Sequence, residues 1–168
     1  MLKTLKRKSF RANQATFAIV ASQYNARYVD AMLQAALAEL KRAGAKNVQV
    51  VSVPGAYEIP VVVAHLARSA PELPHPSRVT HHASLSAIIC LGVILRGETS
   101  HAAHIGEAVS QALMQIQVRY EIPVIHEVLL LDNEEQARVR CLGRKHNRGA
   151  EAAETALAMA QVMQKLYA

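Results

Sequence analysis

The chain has no tryptophan, and only five tyrosines and two phenylalanines among its 168 residues. A core of large aromatic side chains is therefore excluded, although half of the residues are hydrophobic. Ala, Val, Leu and Ile must fill the interior. No apolar run approaches the ~18 residues that a membrane-spanning helix requires. The first residues are basic (Lys3, Lys6, Arg7, Lys8, Arg11), but no apolar segment of signal-peptide length follows them. The two cysteines, Cys90 and Cys141, have neither CxxC spacing nor the density of a disulfide framework. These absences point to a reducing, cytoplasmic setting, with no membrane association.

What is present begins with charge. Lys and Arg outnumber Asp and Glu by 19 to 13, a net charge of +6. Much of the excess sits in the first eleven residues and in "RVRCLGRKHNR". An anionic partner follows, either nucleic acid or a small phosphorylated substrate. No nucleic-acid recognition motif or stacking platform accompanies the charge, so nucleic acid is set aside. For the N-terminal tail, solubility alone is a sufficient account.

Four short apolar runs, Thr16–Ser22, Val48–Pro54, Leu85–Leu95 and Ile122–Leu130, read as strands buried on both faces, as in a parallel sheet. Helical periodicity fills the intervals: Tyr28–Ala43 with Gly44 as its stop, Glu58–Arg68 with Pro60 in its first turn, His101–Tyr120, Asn133–Cys141 and Gly149–Leu166. Alternating strands and helices predict a three-layer α/β/α sandwich around a four-stranded parallel, flavodoxin-like sheet. Residues 1–14 read as a basic arm or tail. Residues 15–168 form one domain, with a proline- and histidine-rich loop over 69–84. Small residues on every side of the last helix allow close packing, within the fold or against another subunit.

In such sheets, ligands bind beyond the carboxyl ends of the strands. Here these ends read "ASQYN", "VPGAYE", "GVILRGETSH" and "VLLLDN". "GVILRGET" has the glycine spacing of a P-loop, but Glu98 stands where that loop needs its phosphate-binding lysine. Nucleoside triphosphate binding is thereby rejected. What survives is a glycine-bearing turn into a helix start, with Thr99 or Ser100 as cap, suited to one phosphate or carboxylate or to no ligand at all. His101 and His104 share a helix face, yet no HExxH pattern or nearby cysteine supports a metal. His101 alone at the helix start suits proton transfer, or is simply a surface histidine. Tyr24 can stack on a flat ring or close the core edge. Glu58 can bind hydroxyls or serve only as an acid at a helix start. An arginine among Arg138, Arg140, Arg144 and Arg148 can clamp a phosphate, or the whole set can be a solvated basic face.

Together, "VASQYN", "VPGAYEIP", "GVILRGETSH" and "IPVIHEVLLLDNEEQARVR…NRGAEAAETALAM" resemble the lumazine synthase family, in the same order and at similar spacing, from about Thr16 to Met163. The resemblance implies the same four-stranded sandwich. It also implies condensation of 5-amino-6-(D-ribitylamino)uracil with 3,4-dihydroxy-2-butanone 4-phosphate to 6,7-dimethyl-8-ribityllumazine, the penultimate step of riboflavin synthesis, with no metal or redox cofactor. On that resemblance Tyr24 stacks on the pyrimidine, and Ala56, Tyr57 and Glu58 bind the ribityl chain. Val93, Ile94 and Leu95 line the ring pocket, while Glu98 and Thr99 present donors to the phosphate. His101 is the proton-transfer histidine. Arg140 binds phosphate, with Arg148 a further basic residue beside it. The family's pocket lies between subunits of pentamers or larger shells, so His126 and Arg140 come from the next chain. Riboflavin synthase is a candidate partner, and the basic arm a candidate for strand addition to a neighbour. Three features depart from the family's pattern: His126 where Phe is usual, Ala102 where an aromatic is usual, and the length of the 69–84 loop. A non-catalytic flavin- or lumazine-binding module on the same fold would need neither His101 nor Arg140; the presence of both favours the enzyme.

Overall fold

The computed structural model describes residues 12, 15–69, 85–143 and 146–167. Nearly all of the expected basic arm, almost all of the 69–84 loop, Arg144 and Lys145 lie outside the described residues. Ala12 is within them; it is buried, and its N–H donates to the Ala43 carbonyl at 2.8 Å.

The elements alternate as expected: β1 (Thr16–Ser22), α1 (Ala26–Arg42), β2 (Asn47–Val53), a 3-10 turn (Ala56–Glu58) leading into α2 (Ile59–Ser69), β3 (Leu85–Leu95), α3 (His101–Tyr120), β4 (Val124–Leu131), α4 (Glu134–Cys141) and α5 (Arg148–Leu166). The sheet is entirely parallel in the order β2-β1-β3-β4, a flavodoxin-like arrangement.

Alternation within the strands splits the core in two. Phe17, Ile19 and Ala21 of β1 with Ile89 and Leu91 of β3 meet Val29, Met32, Ala36 and Leu40 of α1 and the alanines of α5. Ala18, Val20, Ile88 and Cys90 point the other way, onto Ile59 and Val63 of α2 and Val109 and Leu113 of α3. Hence α1, α4 and α5 cover one face, and α2 and α3 the other. The small side chains of α5 do pack within the fold: Ala152, Ala153 and Ala156 are fully buried against it.

One expectation needs correction. Burial on both faces holds for the central strands β1 and β3, but β2 and β4 are edge strands: most residues of β2 are at least partly exposed, Val50 by 41%, and half of those in β4 are not buried. Valine content alone does not reveal an edge position.

Local signals explain the boundaries. Gly44 has φ 85°, and α1 ends in paired bonds from Gly44 N–H to Lys41 O and from Ala45 N–H to Leu40 O, the glycine-dependent stop. Asn133 caps α4 by accepting from Gln136 N–H at 2.9 Å. Asn147 caps α5 through Gly149 and Ala150 N–H, while its own amide donates to the Cys141 carbonyl. The end of α4 is thereby tied to the start of α5.

Candidate active site

The strand ends converge on two separate groups of residues. The first lies beyond β1, β2 and β3. β1 leaves the sheet at Ser22, and Gln23 and Tyr24 N–H bond the Val53 and Pro54 carbonyls of the β2 end. Asn25 follows with φ 58°, and its Nδ2 donates to the Val93 carbonyl at 2.8 Å. An asparagine tolerates this left-handed geometry better than most residues. Its side chain ties the β1 turn to the end of β3, a role that sequence reasoning missed. "QYN" after a strand was the available signal.

Gly55 makes the next contact possible. A β-carbon built there would lie 2.8 Å from Glu58 Oε2 and 3.0 Å from Tyr24 Cδ2. The absent side chain lets the Tyr24 ring and the Glu58 carboxylate close over the backbone together. Both tyrosines remain open to a ligand, Tyr24 71% exposed and Tyr57 63%. Ala56 is buried at the base of the same turn. Val93 is buried, whereas Ile94 and Leu95 are half-buried at the mouth of the sheet.

Arg96 N–H holds the Leu131 carbonyl at 2.8 Å and its Nε sits 3.1 Å from Asp132 Oδ1, fixing the following turn against the end of β4. Glu98, Thr99 and His101 are exposed there. Ser100 occupies the cap position of α3 but makes no side-chain cap bond, because its backbone is already helical. Thr99 Oγ1 takes the His101 N–H instead, at a long 3.4 Å. No acidic residue lies in the first turn of α3. A twenty-residue helix thus presents its positive end, weakly capped, beside His101.

The second group follows the outer edge of β4. His126 pairs in register with Cys90, three residues before Val93, which places it about 10 Å along the strands from the first group. Its ring touches α3: Ser110 Oγ is 2.8 Å from Nε2, and Val128 N–H donates to Nδ1 at 3.2 Å. Burial pushes the His126 imidazole below its ordinary pKa. On the opposite face of β4, Glu127 Oε2 lies 3.8 Å from Arg148 Nε, and Arg148 Nη1 bonds Glu151 at 2.7 Å. Burial raises the Glu127 carboxyl to about 7, Arg148 pulling against it. Arg140 lies on the exposed side of α4. A groove of about 530 Å³ runs along this edge between Gln117, Pro123, His126, Glu127, Thr155 and Met159.

Tyr24, Ala56–Glu58, Val93–Leu95, Glu98, Thr99 and His101 are therefore gathered at one end of the sheet, while His126 stands apart on the edge strand facing α3, and Arg140 and Arg148 lie on α4 and α5 over the opposite face. Both cysteines are buried, and burial pushes the Cys141 thiol up to about 11 and Cys90 higher still, so neither is a ready nucleophile. Among the described residues, no cluster of three His, Cys, Asp or Glu side chains is placed to hold a metal, and no helix is long and apolar enough to cross a membrane.

An open aromatic, a nearby carboxylate and a weakly capped helix start with a histidine, all at the carboxyl ends of a parallel sheet, define an α/β protein with a small-molecule site at the strand ends. The family model for 6,7-dimethyl-8-ribityllumazine synthase matches residues 14–164. Proteins of that name are similar along nearly their whole length. The one from Stenotrophomonas maltophilia (strain R551-3) is 36% identical over 154 residues, 90% of this chain and 91% of its own. The one from Xylella fastidiosa (strain 9a5c) is 38% identical over 154 residues, covering 90% and 92%. The one from Coxiella burnetii (strain RSA 493 / Nine Mile phase I) is 35% identical over 151 residues, covering 89% and 91%. The chain belongs to the 6,7-dimethyl-8-ribityllumazine synthase family and is an enzyme of the transferase class.

Proposed function

We propose that the protein condenses 5-amino-6-(D-ribitylamino)uracil with 3,4-dihydroxy-2-butanone 4-phosphate, releasing 6,7-dimethyl-8-ribityllumazine, phosphate and water, in the riboflavin pathway of the cytoplasm. The observation that carries this reading is the closure of Tyr24 and Glu58 over Gly55 beside the weakly capped start of α3. A flat pyrimidine stacks on Tyr24, and the ribityl hydroxyls meet Glu58 and the Ala56–Tyr57 backbone. Val93, Ile94 and Leu95 form the floor under the ring. The butanone phosphate sits at the α3 N-terminus, taking N–H groups near Glu98 and the Thr99 hydroxyl, where the helix dipole favours an anion.

The chemistry asks mainly for proton movement. The 5-amino group of the uracil attacks the ketone and water is lost to give an imine. Phosphate then departs by elimination, and the ribitylamino nitrogen closes the second ring with loss of another water. His101, exposed at the first residue of α3, accepts and returns these protons. The electrostatics of the helix start and of Arg140 stabilise the departing phosphate. Holding two reactants in one pocket supplies much of the remaining acceleration.

His126 and Arg140 serve the pocket of a neighbouring subunit, with Arg148 a further basic residue near the site. The separation of His126 from the Tyr24 group within one chain supports a shared site, and the family resemblance adds a homo-oligomer built from pentamers, with riboflavin synthase as the partner that consumes the product. Mixing the folded protein with both substrates should produce the absorbance of the lumazine, and native mass should be a multiple of five chains. A correctly folded protein that yields no lumazine overturns the activity; a monomer overturns the shared site.

A further inference from the structure

We propose that Ser110 is a positioning residue that fixes His126 as an uncharged ring protonated on Nε2, so that this histidine serves the shared site as a flat platform and not as an acid or base. The inference rests on the reading of His126 as a ring-contacting residue and names the device that orients it.

The hydrogen-bond directions decide the tautomer. Ser110 has one hydroxyl proton, and it goes to the Gly106 carbonyl, 2.7 Å away, one turn back in α3. The Ser110 oxygen can then only accept. At 2.8 Å from His126 Nε2, it requires that nitrogen to carry a proton. The other nitrogen, Nδ1, lies 3.2 Å from Val128 N and accepts its N–H, so it carries none. A proton on Nδ1 would set two N–H groups against each other and break the Val128 bond. The partial burial that lowers the imidazole pKa acts in the same direction.

Burial outweighs an opposing pull from a hydrogen bond to the residue's own backbone. From β3, the register partner Cys90 is buried and holds its thiol proton. Glu127, the next residue of β4, points to the opposite face, towards Arg148. Glu121 shares the groove with His126, but among the described residues neither carboxylate is a hydrogen-bond partner of the ring. With both nitrogens held, what His126 offers outward from the exposed edge strand is its ring face.

A phenylalanine presents a similar face without either nitrogen, which gives a sharp test on the full-length assembled enzyme. His126→Phe alters the binding ring itself, so the readout is the shape of its pH profile and not its absolute turnover; that profile should superimpose on that of the unaltered enzyme. His126→Ala should raise KM for the uracil substrate about tenfold, as expected when an aromatic is removed from a base. Ser110→Ala should raise the same KM about threefold with kcat nearly unchanged, the size of one lost orienting hydrogen bond. Ser110→Thr, which keeps the hydroxyl, should restore it. An unchanged KM in Ser110→Ala, or a pH profile displaced by His126→Phe, overturns the proposal. Absence of lumazine from the unaltered enzyme instead overturns the assigned reaction, so the two failures are told apart by which protein shows them.

Discussion

The Tyr24 ring lies so close over Gly55 that a β-carbon on that glycine would stand 3.0 Å from Cδ2 of the ring and 2.8 Å from Glu58 Oε2. Gly55 has an extended backbone, φ −135° and ψ 178°, which alanine adopts without strain. Gly55→Ala should therefore act only through its methyl group, by pushing the ring and the carboxylate apart. The expected outcome is a rise of about tenfold in KM for the ribitylaminouracil substrate, near the cost of losing a ring stack, with an unchanged circular dichroism spectrum. A KM equal to that of the unaltered enzyme would remove Tyr24 and Glu58 from the pocket.

His101 is the first residue of α3 and is exposed, so its replacement leaves packing intact. His101→Ala should slow turnover by about a hundredfold or more, in the range of general acid–base catalysis. Affinity for the lumazine product, followed by its fluorescence, should barely change. If turnover is retained, another group moves the protons and His101 is an ordinary surface histidine.

The distribution of what was legible in the sequence follows from physics. The bounds of β1, β3 and α3 agree with the sequence reading to the residue, because each is an uninterrupted apolar run or a single stripe with local punctuation. Gly44 stopped α1 where a left-handed residue was needed. The candidate residues at the strand ends were legible because parallel α/β sheets expose their carboxyl ends. By contrast, Ser110 on His126, Asn25 on Val93 and Arg148 on Glu127 join residues 16, 68 and 21 positions apart, through side-chain geometry that no periodicity encodes. Ser100 was a reasonable cap by residue type, but capping requires an extended backbone, and its φ of −69° and ψ of −4° are helical.

Glu127 illustrates a cost that only the fold reveals. Its carboxyl is largely buried, and desolvation raises its pKa from 4.5 to about 7 despite the opposing pull of Arg148 and Arg140. The folded chain then keeps this proton to a higher pH than the unfolded chain does. Stability falls as pH climbs from about 4.5 to about 7, and the loss is complete above that, amounting to roughly 3 kcal/mol at most. Glu127→Gln keeps the shape and removes the titration. It should raise the unfolding midpoint clearly at pH 8 and little at pH 5. An equal effect at both values would show that Glu127 ionises as freely in the folded protein as in the unfolded one.

Gly149 sets two expectations against each other. It is the second residue of α5, where alanine is the better helix former by about 1 kcal/mol. Propensity alone therefore predicts that Gly149→Ala stabilises. The added β-carbon, however, would sit 1.9 Å from the Met32 carbonyl oxygen and 2.4 Å from its carbon, backbone atoms of α1 that cannot rotate aside. Helices α1 and α5 approach closely at this point, and separating them disturbs the core built from Met32, Ala36, Ala152 and Ala156. Overpacking of this kind costs about 1–3 kcal/mol or more, so the steric effect outweighs propensity. Gly149→Ala should lower the melting temperature by roughly 5 °C, given the usual conversion for a domain of this size. Gly97→Ala, where no atom of the described residues lies within 4 Å of the new methyl group, is the matched control and should leave it nearly unchanged. A Gly149→Ala protein as stable as its parent would mean that the two helices have room to part.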